Sequence, residues 1–314
     1  MSARIVLVGF GEVGQTLASD LMAGGHRDLV VWDTLFPDAA SGPSRAIAAA
    51  GQRKGPGIPQ AASGMAAALP DRDLVISAVT AGECLAAARE AAASIAPGAL
   101  YFDLNSVAPA TKTEAARLVE AAGGRYVEAA VMSPIGPKRI ASPMLLGGPH
   151  AAAFAPRAQA LGFAGVEVFA DRIGPASAAK MCRSVIIKGM EALLTESLLA
   201  ARHHGVESTV LDSLRDLFPG EDWPKLSRYM ISRSLQHGRR RAEEMREVAR
   251  TVGDAGLDPW MSAACAQRQD WAADHRSALA HHDLGPMLDA VLGRSVAAAT
   301  VAFRQNNTLP PTPD

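Results

Sequence analysis

Apolar residues in the first half of the chain fall in short continuous runs rather than in alternation. Such runs occupy residues 4–9, 28–33, 73–79, 99–104, 126–131, 144–148 and 166–169. Ala-rich stretches with helical character lie between most of them, at 12–23, 82–95, 109–122 and 150–161. Continuous apolar strands alternating with helices predict a parallel sheet covered on both faces. Pro109 suits the first turn of its helix, and Gly123-Gly124 suits its end. Gly and Pro crowd residues 51–63, which leaves the bounds of one short strand there undefined. After Asp171 the pattern changes to helical stretches at about 175–203, 207–217, 224–255, 259–278 and 286–302, punctuated by Pro and Gly. The expected organisation is an α/β domain over 1–171, an all-helical domain over 172–308 and an extended tail over 309–314, with the boundary near 170–174.

Composition narrows this without redirecting it. A chain of 314 residues favours two domains. Much of the 48% hydrophobic content is Ala and only 5% is aromatic, so the helices should pack closely on small residues. Lys and Arg number 31 against 32 Asp and Glu, so no charge excess points to nucleic acid or an anionic membrane. The basic cluster Arg239-Arg240-Arg241 is followed by Glu243, Glu244 and Glu247, which reads as paired charges on a solvated helix face. Cys84, Cys182 and Cys265 lie far apart with no CxxC pair, which argues against a disulfide framework or a metal site and fits a reducing, cytoplasmic setting. A strand pattern begins almost at residue 1, no basic region precedes an apolar signal core, and no apolar stretch reaches the roughly 20 residues a membrane span needs.

Candidate chemistry begins at Gly9-Phe10-Gly11-Glu12-Val13-Gly14, a GxGxxG that follows the first strand and opens the first helix. Gly9 permits the tight turn, Gly11 lets the backbone approach a pyrophosphate, and Gly14 lets helix and strand pack closely. The free N–H groups of the helix's first turn face the phosphates. The second strand ends at Asp33, near the interval expected for a carboxylate that accepts hydrogen bonds from a ribose and repels a 2′-phosphate. Thr34, Leu35 and Phe36 add no positive charge, so NAD is favoured over NADP. The α/β domain thus reads as a Rossmann-type dinucleotide-binding domain. Val79-Thr80 and Asp103-Leu104-Asn105-Ser106 end two further strands at the same crevice. Thr80, Asn105 and Ser106 are candidates for the ribose and nicotinamide side, or for turn and cap chemistry alone.

Hydride chemistry also needs a proton donor. None of Tyr101, Tyr126 and Tyr229 has a lysine four residues on, and the scattered cysteines support neither zinc nor a catalytic thiol. Lys180 remains, behind the small residues Gly174-Pro175-Ala176-Ser177-Ala178-Ala179, early in a long interdomain helix. Lys180, Ser184, Lys188 and Glu191 follow at spacings of four, four and three on one face. On spacing alone the stripe is either a buried site or a solvated surface with a Lys188–Glu191 ion pair.

Taken in order from residue 4 to about 190, these segments resemble the β-hydroxyacid dehydrogenases, which include 3-hydroxyisobutyrate and 6-phosphogluconate dehydrogenases. The second half, with Lys188-Gly189-Met190-Glu191-Ala192 and the segment from His237 to Met245, is similar to a branch with a phosphogluconate-dehydrogenase-like C-terminal domain of unknown substrate. The resemblance implies hydride transfer between a nicotinamide and a hydroxy or oxo substrate. Lys180 is then the general acid/base, a role a lysine fills if desolvation lowers its pKa. Ser184 stands where the family usually has Asn, and Arg183 where 6-phosphogluconate dehydrogenase has His. Arg183 then either clamps a substrate carboxylate or phosphate or points to solvent.

The family's Ser-Gly-Gly anchor for a substrate carboxylate is replaced here by Met132-Ser133-Pro134, in which Pro134 has no N–H to donate. That change points away from small 3-hydroxy acids and toward a larger, partly apolar small-molecule substrate. His237 and Arg241, four apart on one helix face, are candidates to complete the pocket or ordinary surface residues. Two rival readings keep the fold: an imine reductase, against which Lys180 argues, and a non-catalytic NAD-binding regulatory protein. The helix from 175 to 203 carries Val185, Ile186, Ile187, Leu193, Leu194, Leu198 and Leu199 on several faces, which predicts a homodimer or larger homo-oligomer.

Overall fold

The structure, a computed structural model, describes residues 3–52 and 59–293. The expected tail at 309–314 and residues 294–302 of the last expected helix lie outside the described residues.

Strands and helices alternate through the first part: β1 (Ile5–Val8), α1 (Glu12–Ala23), β2 (Leu29–Trp32), α2 (Gly42–Gln52), β3 (Gln60–Ala61), α3 (Met65–Ala68), β4 (Leu74–Ser77), α4 (Cys84–Ala92), β5 (Leu100–Asp103), α5 (Pro109–Ala121), β6 (Arg125–Val131), α6 (Ile135–Lys138), β7 (Met144–Gly147), α7 (Ala151–Ala160) and β8 (Val166–Ala170). They form one eight-stranded sheet in the order β3-β2-β1-β4-β5-β6-β7-β8. The order reverses at β1 and β4, which opens a crevice at their carboxyl ends. All neighbours are parallel except β6 and β7, which run antiparallel. This corrects the expectation of a wholly parallel sheet. The link from Val131 to Met144 holds only α6 and the 3-10 turn Arg139–Ala141, too little helix for a crossover that covers the sheet.

Each central strand is apolar on both faces because both faces are covered. Ile5 and Leu7 enter one core with Phe102, Phe154 and Phe163. Val6 and Val8 enter the other, with Tyr101, Tyr126 and the alanines of α4 and α5. The small residues Ala88, Ala91, Ala115 and Ala116 let those two helices lie close to the sheet. On the opposite face Phe102 packs edge-on against Phe154 and Phe163, with ring centroids 4.7 and 5.4 Å apart.

Helices α8 (Pro175–His204), α9 (Glu207–Leu217), α10 (Trp223–Asp254), α11 (Trp260–Ala273) and α12 (Leu284–Val291) complete the described chain. Among the described residues the chain divides into two compact units. One runs through Arg183 and includes Arg250–Asp258, and the other runs from Ser184 to Ala249 and resumes at Pro259. The second has its own core of Leu198, Ile231, Leu235, Ala272, Met287 and Leu288. The helix expected at 286–302 begins earlier and stops at Val291, because Gly293 turns left-handed at φ +69°. No helix among the described residues is long and apolar enough to cross a membrane.

Candidate functional site

With β1 ending at Val8 and α1 starting at Glu12, Gly9, Phe10 and Gly11 make the whole turn. Gly9 has φ +92°, and a Cβ there would lie 2.5 Å from the Ala78 carbonyl oxygen. A Cβ on Gly14 would lie 2.0 Å from the Gly9 oxygen, so α1 packs directly on the turn. Gly11 is different, since a Cβ there would meet nothing within 4 Å. Its missing side chain keeps space open outside the protein rather than allowing packing within it. Gly11 also gives α1 no side-chain cap, so the N–H groups of the first turn are available to an anion.

Asp33 closes this arrangement. Its Oδ2 accepts the Phe10 N–H at 2.7 Å and its Oδ1 accepts the Leu35 N–H at 2.9 Å. Each oxygen keeps a lone pair for a further donor. The Phe10 ring is buried against Phe36, Val13 is half-buried, and Glu12 and Thr34 are exposed. The open, uncapped turn with a carboxylate beside it fits a dinucleotide.

Residues Trp32, Val8, Ser77, Asp103 and Glu128 share one transverse row of the sheet. The segments just beyond β1, β4 and β5 therefore lie side by side. Asn105, a candidate for the nicotinamide side or for turn chemistry, is buried and spends its amide on internal hydrogen bonds. Its Oδ1 accepts the Val79 N–H at 2.7 Å, and its Nδ2 donates to Ser77 Oγ at 2.9 Å and Cys84 Sγ at 3.5 Å. A buried amide must satisfy its own groups, and here that requirement fixes the course of Val79. Beneath it Lys112 Nζ pairs with Asp103 Oδ1 at 2.9 Å, both fully buried, and the Tyr126 hydroxyl donates to Asp103 Oδ2. Burial, and then the Asp103 charge, pushes Tyr101, Tyr126 and Cys84 well above their ordinary values, so the thiol stays protonated and inert. Ser106 is half-buried, and its Oγ has no hydrogen-bond partner among the described residues. Val79 is half-buried and Thr80 exposed.

Lys180 lies in the second turn of α8 and is half-buried, while Arg183, one turn on, is exposed. At the end of β6 the Met132 N–H donates to the Pro143 carbonyl at 2.8 Å, Ser133 Oγ donates to the Pro134 carbonyl at 3.2 Å, and Pro134 opens α6.

In the second unit the charged stripe is neither solvated nor paired as its spacing suggested. Lys188 Nζ pairs with Glu244 at 2.6 Å and donates to Ser184 Oγ at 3.1 Å, while Glu191 pairs with Arg241 and accepts from Gln269 Nε2 at 3.3 Å. Lys188, Glu191, Arg241, Glu244 and Glu247 are all buried, so the 239–247 segment is not a solvated face either. The exposed partners in this segment are Arg239, on Asp270 and Asp274, Arg240, on Glu244, and Arg246, on Asp270. Burial pushes Glu191 up and Arg241 down, and their mutual attraction opposes both shifts. Arg241 is thus paired with Glu191, and Ser184 accepts from Lys188.

His237 and Arg241 do not share a regular helix face. His237 breaks α10 at φ −124°, ψ 15°. Next to it a Cβ on Gly238 would lie 2.2 Å from the Gln269 carbonyl oxygen, so α10 closes tightly on α11 there. Burial, then Arg233, Arg240, Arg241 and Arg276, pushes His237 down to about 4, leaving the ring neutral at neutral pH.

Glu128 escaped sequence reasoning. Its signal was a single carboxylate inside the apolar run Tyr126–Val131, where a buried charge has to find partners. It is fully buried, and both its oxygens accept backbone N–H groups at the start of α8.

Comparison with known proteins bears on the whole chain. A domain of unknown function, DUF1932, matches residues 201–272. A conserved hypothetical protein from Sinorhizobium meliloti 1021, of known structure, is 35% identical over 94% of this chain and 97% of its own, with a TM-score of 0.68. A conserved protein of unknown function, described as structurally similar to 3-hydroxyacid dehydrogenases, is 32% identical over 86% of this chain and 97% of its own, with a TM-score of 0.62. Human mitochondrial 3-hydroxyisobutyrate dehydrogenase is 24% identical over 221 residues, 69% of this chain and 62% of that protein. The NAD binding domain of 6-phosphogluconate dehydrogenase matches residues 4–168, and because that match runs from the first strand of the sheet into the last, the chain belongs to the family built on this domain.

Proposed function

We propose that the protein is an NAD-dependent dehydrogenase or reductase of the β-hydroxyacid type, with Lys180 as its proton relay. The observation that carries this reading is the α1 N-terminus, uncapped, fronted by open space at Gly11 and flanked by Asp33. The first-turn amides would hold the pyrophosphate, and the remaining lone pairs of Asp33 would accept the ribose hydroxyls. Its charge repels a 2′-phosphate, and Thr34, Leu35 and Phe36 offer none to attract one. When bound, NAD accepts a hydride from an alcohol carbon, and its reduced form returns one to a carbonyl.

Lys180 takes the hydroxyl proton during oxidation and gives it back during reduction. Ser106, whose Oγ is without a partner among the described residues, is available to a ligand at the end of β5. The Met132-Ser133-Pro134 loop offers bulk and one fewer amide than a Gly-Gly pair, which favours a larger, partly apolar alcohol or aldehyde. With Arg241 occupied by Glu191, the exposed Arg183 is the candidate for an acidic substrate group. Ile186 and Leu193 are exposed on α8, and we read them as covered by a second copy of the chain. A monomeric mass in light scattering at micromolar concentration would count against that.

The test incubates the protein with NAD or NADP and a panel of alcohols while nicotinamide absorbance is followed. Turnover with NAD on bulky hydroxy compounds is expected. For 3-hydroxyisobutyrate, glycerate and 6-phosphogluconate, kcat/KM should stay below about 10⁴ M⁻¹s⁻¹. Tighter binding of NADP than NAD, or no turnover on any alcohol, contradicts the reading.

A further inference from the structure

The start of α8 is held from the sheet by one side chain. Glu128 sits in β6, paired across the ladders with Asp103 of β5 and Gly147 of β7. Its Oε2 accepts the Gly174 N–H at 2.7 Å, and its Oε1 accepts the Ser177 N–H at 2.7 Å. Ser177 Oγ donates in turn to the Gly174 carbonyl at 3.0 Å. A carboxylate that accepts two orphan amides at a helix N-terminus is doubly favoured, by charge-assisted hydrogen bonds and by the helix dipole.

The surroundings are cut to receive it. A Cβ on Gly147 would lie 2.4 Å from Glu128 Oε2, so only glycine leaves room for the carboxylate in this position. Gly148 has φ +107°, and a Cβ there would lie 2.5 Å from Ile173 Cδ1. Gly174 has φ +115°, a conformation that lets the chain turn into α8 directly over the carboxylate. Three glycines and a buried acid therefore form a socket for the first turn of α8.

Lys180 is the third residue after Ser177, one helical turn beyond the socket. Glu128 belongs to the same transverse row of the sheet as Val8, Ser77 and Asp103, whose successors form the dinucleotide crevice. We infer that Glu128 is a positioning residue for Lys180, fixing the rotation and height of the α8 N-terminus against the sheet edge that bears the crevice. The inference rests on the reading of Lys180 as proton relay. A misplacement of about 1 Å in a reacting group costs about 10²-fold in rate, so an unbraced helix end would be felt in turnover before it was felt in folding.

The experiment labels lysine Cε with ¹³C in the full chain and assigns the Lys180 signal by its loss in Lys180→Arg. Glu128→Gln keeps the shape, but turns an N–H donor toward one of the two amides. At fixed pH the Lys180 signal should move or broaden while those of Lys138 and Lys225 stay in place. NAD affinity should hold within about twofold, because the glycine turn is untouched. On a substrate found in the alcohol panel, kcat should fall about 10–100-fold with KM for NAD unchanged. Should Glu128→Gln not fold, Gly147→Ala displaces the carboxylate while keeping its charge and should move the same signal. A Lys180 signal superimposable on that of the unaltered protein in the folded variant overturns the inference, whatever the activity. Lys180→Met separates the two ideas. If it keeps turnover, the relay reading fails while the lysine signal still decides the bracing. If it abolishes turnover but Glu128→Gln leaves the signal unmoved, only the bracing fails.

Discussion

Helices α1 and α8 both start in the first unit behind a glycine, and their first turns meet opposite fates. At α1 no side chain caps the amides, and Gly11 faces open space. At α8 the Gly174 and Ser177 amides are both taken by the buried carboxylate of Glu128. Both ends carry the same orphan N–H groups and the same positive end of a helix dipole. The difference is where the answering negative charge comes from. An N-terminus satisfied from inside is a mount, fixed to the sheet and useless as a receptor. One left unsatisfied is open to an anionic ligand, the role proposed above for α1.

Removing what the mount carries should give the largest effect. Lys180→Met is expected to lower turnover by about 10²–10⁴-fold while NAD binding stays nearly intact. Turnover within a few-fold of the unaltered protein on a verified substrate would detach α8 from the chemistry and leave its cap a matter of folding only.

Asp33→Ala strikes the receptor side. The loss of a charge-assisted hydrogen bond costs about 1.5–3 kcal/mol, one to two orders of magnitude in NAD affinity. The preference for NAD over NADP should narrow, since the repelling charge is gone. The Phe10 N–H loses its acceptor as well, so the turn itself should loosen. Unchanged affinity in a titration of nicotinamide fluorescence would mean that Asp33 only holds the loop.

The glycine turn before α1 was readable from sequence because its parts are local. Three glycines, a helix start and a strand-end Asp33 need only one strand–helix–strand unit to come together. The mount was not, because Glu128 and Gly174 lie far apart in the chain and meet only through the β6–β7 hairpin-like return, where the sheet departs from parallel order. The same limit governs the second unit. Lys188 and Glu191 are correctly spaced for a pair on α8, yet Glu244 and Arg241 of α10 take them instead. Spacing along a helix says which side chains could meet, whereas burial against a second helix decides which do. Asn105 teaches it once more, since nothing in the spacing of a strand-end amide foretells its bonds to Val79, Ser77 and Cys84.

Within the receptor, two glycines of one motif should separate cleanly. Gly14→Ala places a Cβ 2.0 Å from the Gly9 oxygen. Overpacking of that kind costs about 1–3 kcal/mol of stability, read as a lowered urea midpoint. Gly11→Val puts its bulk where a Cβ meets nothing within 4 Å, so the urea midpoint should hardly change. NAD affinity should nonetheless fall about tenfold or more, a loss of about 1.4 kcal/mol. If Gly11→Val unfolds the protein, or leaves NAD binding untouched, the open space before α1 is not where the dinucleotide lies.

The smallest effect concerns Glu12, the first residue of α1 and exposed. Its carboxylate stands at the positive end of the helix, the position that an acidic side chain stabilises by about 0.3–1 kcal/mol. At α8 the answering carboxylate is structural, because Glu128 is buried against the amides. At α1 the charge is exposed, and on the proposed reading it competes with the phosphates of the dinucleotide. Glu12→Gln should therefore shift two quantities in opposite directions. Stability of the free protein should fall slightly, while NAD affinity should rise about two- to fivefold, the same 0.3–1 kcal/mol seen from the ligand's side. Because Glu12 is exposed, salt screens the interaction, so the gain measured at low ionic strength should shrink at 0.5 M salt. A drop in NAD affinity on Glu12→Gln would mean that the carboxylate assists the ligand rather than competing with it, and the contrast between an occupied and a reserved helix end would have to be redrawn.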